Sequence, residues 1–412
     1  MTCGIEKGYN KDGRAGDAQI VVGQMVNEYG IPLMCRTFNG STSDVEWNKD
    51  ALDYFDKLRE NGLGDSIYVA DCKVVTEELV TRMSSDTGRI NYISRCPANF
   101  DNRLAQRMVT RAYETDNWEE IGQLSDRKDA STYRAKSFTE NIFGSPTRLI
   151  VLESTSLITK AETSLAKAKE NVKPLVATLE KKEFICPADA EKEYARFSAL
   201  KELNLFCHEA KILEITNEKW PRGRRSKETK PTITKSYRVR ITYLEFDDER
   251  RKEYFQSEST LVLISNVLAE AKTDKQLLEI YKGQHVVENS FRHLKHPSVA
   301  SVIYLKNPKR VEALTMLLHF SLLVRAIIQF RMREGLKSHN EEHPDVPINA
   351  GWNRRALKNP TFKLFYEQSI NCYYERKTGY DEYRFNWPNV ETKEVVAQLL
   401  ALMGLTILTI LQ

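Results

Sequence analysis

The segment QIVVGQMVNEYGIPLMCRTFNGSTSD (19–44) decides how the amino-terminal part of the chain is read. Residues 19–26 form an apolar run, NEYG (27–30) carries turn residues, and IPLMCRTF (31–38) is a second run. Two such runs around a short Asn/Gly turn predict a β-hairpin. GSTSD (40–44) then reads as a loop, and Ala51, Tyr54, Phe55 and Leu58 recur at helical spacing, which predicts an amphipathic helix over 48–60. SIYVAD (66–71) follows as a strand and leaves Asp71 at its carboxyl end, where open α/β sheets gather ligands and catalytic groups. Strand, strand, helix, strand is an α/β order.

Beyond residue 100 the pattern changes. TRLIVLES (147–154) reads as a strand, and a long amphipathic helix follows with Ile158, Ala161, Leu165, Ala168, Val172, Leu175 and Leu179 on one face. Pro174 predicts a kink or a break in it. LNLFCHEAKILEI (203–215), SYRVRITYLEF (236–246) and STLVLIS (259–265) read as further strands. These features divide the chain into a first core segment (1–99), an inserted α+β domain (100–270), a second core segment (271–335) and a helical carboxyl-terminal region (336–412).

With 412 residues, 41% hydrophobic and 29% charged, the composition is that of a globular protein with room for two or three cores. The net charge of +4 does not require nucleic acid as a partner, although it leaves room for local basic surfaces. Seven scattered cysteines without a C-x-x-C pair argue for a reducing compartment and against a zinc ribbon. The apolar stretches 311–330 and 395–411 read as buried core helices rather than membrane spans. The first carries His319, Arg325 and Gln329, and the second is short for a bilayer.

YKGQHVVENSFRHLKHP (281–297) carries the most chemistry. On one continuous helix Tyr281, Gln284, Glu288 and Lys295 fall within roughly 60° of arc, while Val287, Phe291 and Leu294 occupy an adjoining apolar arc. A solvated polar face is the plain reading of such a stripe. The alternative is functional: Glu288 and Asp71 are oxygen ligands for a divalent metal, and Lys295 and Tyr281 hold phosphates, with Arg292 as a further donor. A second basic stretch, NEKWPRGRRSKETKP (217–231), surrounds Trp220 with Arg222, Arg224 and Arg225. It suits nucleic acid through phosphate neutralisation and base stacking, and it equally fits a solvated hairpin loop.

Taken in order, these segments resemble the DDE transposases of bacterial and archaeal insertion sequences, in the group marked by a Y-x2-R-x3-E-x6-K signature. Here the signature reads Tyr281, Gln284, Glu288, Lys295, with Gln at the Arg position. GYNKDGRAGDAQIVVGQMV (8–26) and GIPLMCRTFNGSTSD (30–44) look like the family's G-x-SKD-x-R segment and F-x-GNTSD loop. YVAD (68–71) looks like its second catalytic strand, and LVLISN (261–266) fits the run before the signature.

The resemblance implies an RNase H-like core interrupted by a large α+β insertion, with a helical carboxyl-terminal region. Such a core gathers three acidic ligands around two Mg2+ or Mn2+ ions. Asp71 would be the second acid and Glu288 the third, while Tyr281, Lys295, Gln284 and Arg292 would lie along the transposon end. The family's first acid lies on a strand upstream of the segment that begins here at Gly8. Only Asp12 and Asp17 are near, so the expectation is a chain truncated before its first strand. The implied activity is metal-dependent hydrolysis and strand transfer at transposon ends. The alternatives are an inactive DNA-binding remnant and a structure-specific nuclease of the same fold. The implied partners are double-stranded DNA with inverted repeats and a second copy of the chain when assembled on DNA, with no membrane. The implied location is cytoplasmic, at the nucleoid.

Overall fold

The computed structural model describes residues 3–8, 16–85, 88–219, 231–295, 303–351, 354–370, 372–376 and 383–406. The fold is mixed α/β and divides into two compact units, Met1–Gly64 with Lys282–Gln412, and Asp65–Tyr281.

In the first unit, β1 (Glu6–Lys7), β2 (Ala18–Val26) and β3 (Pro32–Asn39) form an antiparallel sheet in that order. The expected hairpin is β2–β3, with Val21 opposite Phe38 and Gln24 opposite Cys35. Its turn is tied locally: the Asn27 side chain accepts from the backbone N–H of Tyr29 and Ile31, and Gly30 takes a left-handed φ of +80° that an L side chain rarely adopts. Helix α1 (Asp44–Glu60) starts earlier than the spacing predicts. Ser43 caps it by accepting from Glu46 N–H, and Asp44 and Glu46 favour its positive end.

The same unit holds α8 (His285–Leu294), α9 (Pro308–Glu342), α10 (Phe362–Ser369), the two-stranded pair β12 (Tyr373–Arg376) and β13 (Tyr383–Asn386), and α11 (Val390–Leu402). Asn307 caps α9 by accepting from Lys309 and Arg310 N–H, and Pro308 fills the first-turn position where a missing N–H costs nothing. Met332, Leu336, Leu364, Leu399 and Leu402 build the local core where α9, α10 and α11 meet. A glycine permits that approach, since a Cβ on Gly335 would lie 1.8 Å from the carbonyl oxygen of Leu402.

Among the described helices α9 alone is long and apolar enough to cross a membrane by length and composition. It is less buried than the sequence suggests. Val311, Thr315, His319, Leu322, Met332 and Leu336 face the interior, while Met316, Leu317, Phe320, Val324 and Ile327 form an exposed apolar stripe. The composition of the run is uniform, whereas its neighbours cover only one side. The second apolar stretch is helical to Leu402, with Val396, Leu399, Leu400 and Leu402 buried.

The second unit is built on a six-stranded sheet of order β4 (Ile67–Val69), β5 (Asn91–Arg95), β11 (Thr260–Ser265), β8 (Ser145–Ser154), β7 (Thr132–Ile142) and β6 (Glu119–Gln123). β4 and β5 are parallel and the other neighbours antiparallel. Strands from the region expected as an insertion thus pair into the same sheet as β4 and β5. β8 is central and buried from Thr147 to Ser154, which explains its unbroken apolar run. Helices α2 (Glu77–Ser84), α3 (Leu104–Tyr113), α6 (Asp248–Glu258) and α7 (Asp274–Lys282) complete this part.

A second cluster of the unit lies under a long hairpin. β9 (Phe206–Lys219) and β10 (Thr232–Phe246) pair from Phe206–Phe246 to Lys219–Thr232, and α4 (Thr155–Lys181) and α5 (Pro187–Ser198) cover their proximal half. α4 runs unbroken through Pro174. The lost backbone bond is offset by Val172 and Leu179, which flank the proline and are both buried in this cluster.

Arg148 of β8 and Asp274 of α7 form the most deeply buried ion pair described. The guanidinium donates to Asp274 at 2.5 Å and to the Lys272 carbonyl at 2.6 Å, and Ser137 Oγ donates to the same carboxylate. Both side chains are about 95% withdrawn from solvent, at 5% and 4% relative exposure.

Two outcomes are expected. Gly335→Ala should destabilise the chain by at least the roughly 1–3 kcal/mol typical of overpacking, because the obstacle is backbone, and thermal unfolding reads the loss. Asp274→Ala should cost about 3–5 kcal/mol by leaving Arg148 charged and unpaired, while the double replacement Arg148→Met with Asp274→Leu should recover most of it.

Candidate functional site

Asp71 stands two residues past β4, as the sequence predicts. The strand ends in a single 3-10 turn, Cys72–Val74, which Asp71 caps by accepting from Lys73 N–H at 3.0 Å. Ser94 Oγ of β5 donates to the Asp71 carbonyl at 2.9 Å, so the backbone is held to the neighbouring strand while the carboxylate stays exposed. Tyr68 lies close beneath. Burial first, and the negative charge of Asp71 second, push its phenol above the ordinary range.

The segment 281–295 differs from the single helix predicted. α7 ends at Lys282 and α8 begins at His285, with a turn at Gly283 and Gln284. Glycine is a poor helix residue, and the hydrogen bonds show what replaces the ladder. His285 Nδ1–H donates to the Lys282 carbonyl at 2.9 Å, and Val286 N–H donates to the Gly283 carbonyl instead. Tyr281 therefore belongs to the second unit, where it is buried in the sheet core with Leu277, Leu278 and Leu263.

Gln284 is half-buried at the start of α8. Glu288, Arg292 and Lys295 follow at four- and three-residue steps and share one exposed face. Glu288 lies in the first turn, where the helix dipole favours a carboxylate, and Arg292 in the last, where it favours a cation. Arg292 donates to Asn289 Oδ1 at 3.0 Å. Val287 and Phe291 are half-buried and Leu294 is buried, so the predicted apolar arc holds on α8.

Asp71 and Glu288 belong to different units. Each offers the hard oxygen atoms that Mg2+ or Mn2+ prefers, and among the described residues no three His, Cys, Asp or Glu side chains converge on one point. Trp220, Arg222, Arg224 and Arg225 lie outside the described residues, as does Asp12. The strands that lead to the basic stretch, β9 and β10, are formed as expected. All seven cysteines are free.

Two polar groupings escape the sequence reading. In the second unit, the buried Glu153 accepts from Tyr113 and Arg134, and Trp118 stacks on Arg134 at 4.7 Å. Burial and the hydrogen bond to Glu153 push the Tyr113 phenol up to about 12. Every charge there is paired, as in a structural network. In the first unit, a cavity of about 110 Å3 opens between α8, α9 and the β2–β3 turn, lined in part by Arg325, Gln329 and Arg333. The signal available in the sequence was their spacing of four, on one face of an otherwise apolar helix.

No protein-family model matches the chain, and no curated protein matches it.

Replacement of Tyr281 separates packing from contact with DNA. Tyr281→Ala should lower stability by about 3–5 kcal/mol in denaturant unfolding, as for other buried aromatics, and Tyr281→Phe should lose much less.

Proposed function

We propose that this protein is a DNA transposase of the insertion-sequence type, acting on phosphodiester bonds at the ends of a mobile element with Mg2+ or Mn2+. The observation that carries the reading is the face of α8, where Glu288, Arg292 and Lys295 project together into solvent. A carboxylate with two cations following it on one face suits a phosphate backbone brought to a metal ligand. Asp71, exposed at the carboxyl end of β4, gives the reading its second acid. The chain order β2, β3, α1, β4 is the order the resemblance implies, with β2 and β3 in one sheet and β4 in another.

In this reading Asp71 and Glu288 are oxygen ligands, and a bound divalent ion supplies charge stabilisation to the phosphoryl group. Arg292 and Lys295 hold the backbone of the end, Lys295 as a point charge and Arg292 as a fork. Gln284 stands where the family signature has arginine, so Arg292 provides the nearest guanidinium on the helix. Tyr281 contributes through packing. The basic stretch with Trp220, Arg222, Arg224 and Arg225 adds contacts to flanking duplex, and two copies of the chain meet on paired ends.

The test uses the full chain with duplex DNA from the borders of its own gene, incubated with Mg2+ or Mn2+. Metal-dependent nicking at the borders is expected, reduced on the order of 100-fold or more in Asp71→Asn and in Glu288→Gln, with duplex binding retained. Lys295→Ala should weaken binding across sequences and lower the salt slope by about 1. Nicking by both acid variants at the wild-type rate would sink the proposal. Binding without any nicking would leave the DNA-binding role and remove the enzymatic one.

A further inference from the structure

The cavity of the first unit does not involve the face of α8 that carries Glu288. Asn289 and Ser290 line it from one side of α8, and Arg325, Gln329 and Arg333 from α9. The three α9 residues are spaced by four, so they rise along one side of the helix over about 12 Å, within the joint reach of two arginine side chains.

Both guanidiniums are half-buried, and no described carboxylate pairs with either. Arg325 lies over the Phe362 ring at 5.9 Å, a contact that uses its π face and none of its N–H groups. Arg333 gives only its Nε–H, to the Pro360 carbonyl at 3.2 Å, and keeps its two terminal nitrogens. Gln329 accepts from Phe362 N–H through Oε1, and Asn289 accepts from Arg292 through Oδ1, so each retains an amide NH2 to donate. Burial lowers the pKa of both arginines, the sign of two cations drawn from water without a counter-charge.

Partly desolvated cations without an acid are unfavourable by themselves and strongly favourable toward an incoming anion. None of the lining residues is acidic, and the cavity volume exceeds several times the roughly 10–15 Å3 that one water needs. We infer that this cavity is a binding site for a phosphate dianion, gripped by Arg325 and Arg333 and oriented by the amides of Gln329 and Asn289. Two forked guanidiniums match a tetrahedral dianion better than a carboxylate, which one fork saturates. The same chemistry is offered by a free phosphate or by the terminal phosphate of a nucleic acid strand. The site stands independently of the proposed catalytic role, since it uses neither Asp71 nor Glu288.

The test is thermal unfolding of the full chain in sodium phosphate against sodium chloride at matched ionic strength and pH 7. Saturating phosphate should raise Tm by roughly 2–4 °C or more in the wild type and in Arg331→Gln, an exposed arginine on α9 that does not line the cavity. Arg325→Gln should lose the rise. Asn289→Asp changes an exposed residue and keeps the fold, while it adds a negative charge to the lining of the cavity. It should also abolish the response to phosphate. No rise in the wild type over chloride, or an equal rise in Asn289→Asp, overturns the inference. Given the expected pattern, displacement of phosphate by a 5′-phosphorylated duplex, and not by the same duplex without the phosphate, identifies a strand end as the source. Failure of both duplexes to displace it identifies a small phosphorylated ligand.

Discussion

The contact between Arg148 and Asp274 joins the most buried strand of the second unit to the helix that ends that unit. A charge pair in so dry a place contributes little net stability against a well-packed apolar alternative, yet it is intolerant of losing one partner. Its value lies in position. It fixes the first turn of α7 on β8, and from there Leu277, Leu278 and Tyr281 enter the sheet core in a single register. The chain leaves this unit directly after Tyr281, and the His285 ring donates to the Lys282 carbonyl that would have continued the helix. The exposed face of α8 is therefore started afresh rather than inherited from α7.

That arrangement shows which parts of the molecule were legible in the sequence. The β2–β3 hairpin, β8, and the place of Asp71 beyond β4 depend on apolar runs and turn residues within a few positions of each other, and local patterning finds them. The early start of α1 depends on one side-chain cap, Ser43, which reads equally well as loop. The break before α8 was missed because a helical wheel counts spacing and ignores what a histidine ring does to a backbone carbonyl. Three of the four stripe positions nevertheless stay together from Gln284 onward, since the periodicity within α8 is real.

Other features were illegible for a different reason: they are made by residues far apart in the chain. Arg325 and Gln329 first served as an argument against a membrane span, and nothing local indicates that Tyr29, Asn289 and Phe362 would surround them. The exposed stripe of α9 is similar. Hydropathy reports that Met316, Phe320 and Val324 are apolar, and only packing reports which side of the helix is left uncovered. Glycine at 335 carries the same lesson, because its necessity lies in a carbonyl of Leu402, 67 positions later by number.

The β9–β10 hairpin has a consequence for how this protein can change over generations. Its proximal half rests on Phe206, Val239 and their neighbours, and Phe184 bridges to Tyr237, whereas Leu213 and Ile233 are exposed, so the described part nearest Lys219 and Thr232 depends mainly on cross-strand pairing. Removing or adding two residues on each strand leaves every remaining side chain on its original face, while a change of one on a single strand turns a whole strand over. The arm is thus free to vary in length in paired, even steps without disturbing the core beneath it, and the basic stretch it carries can be advanced or withdrawn as a module.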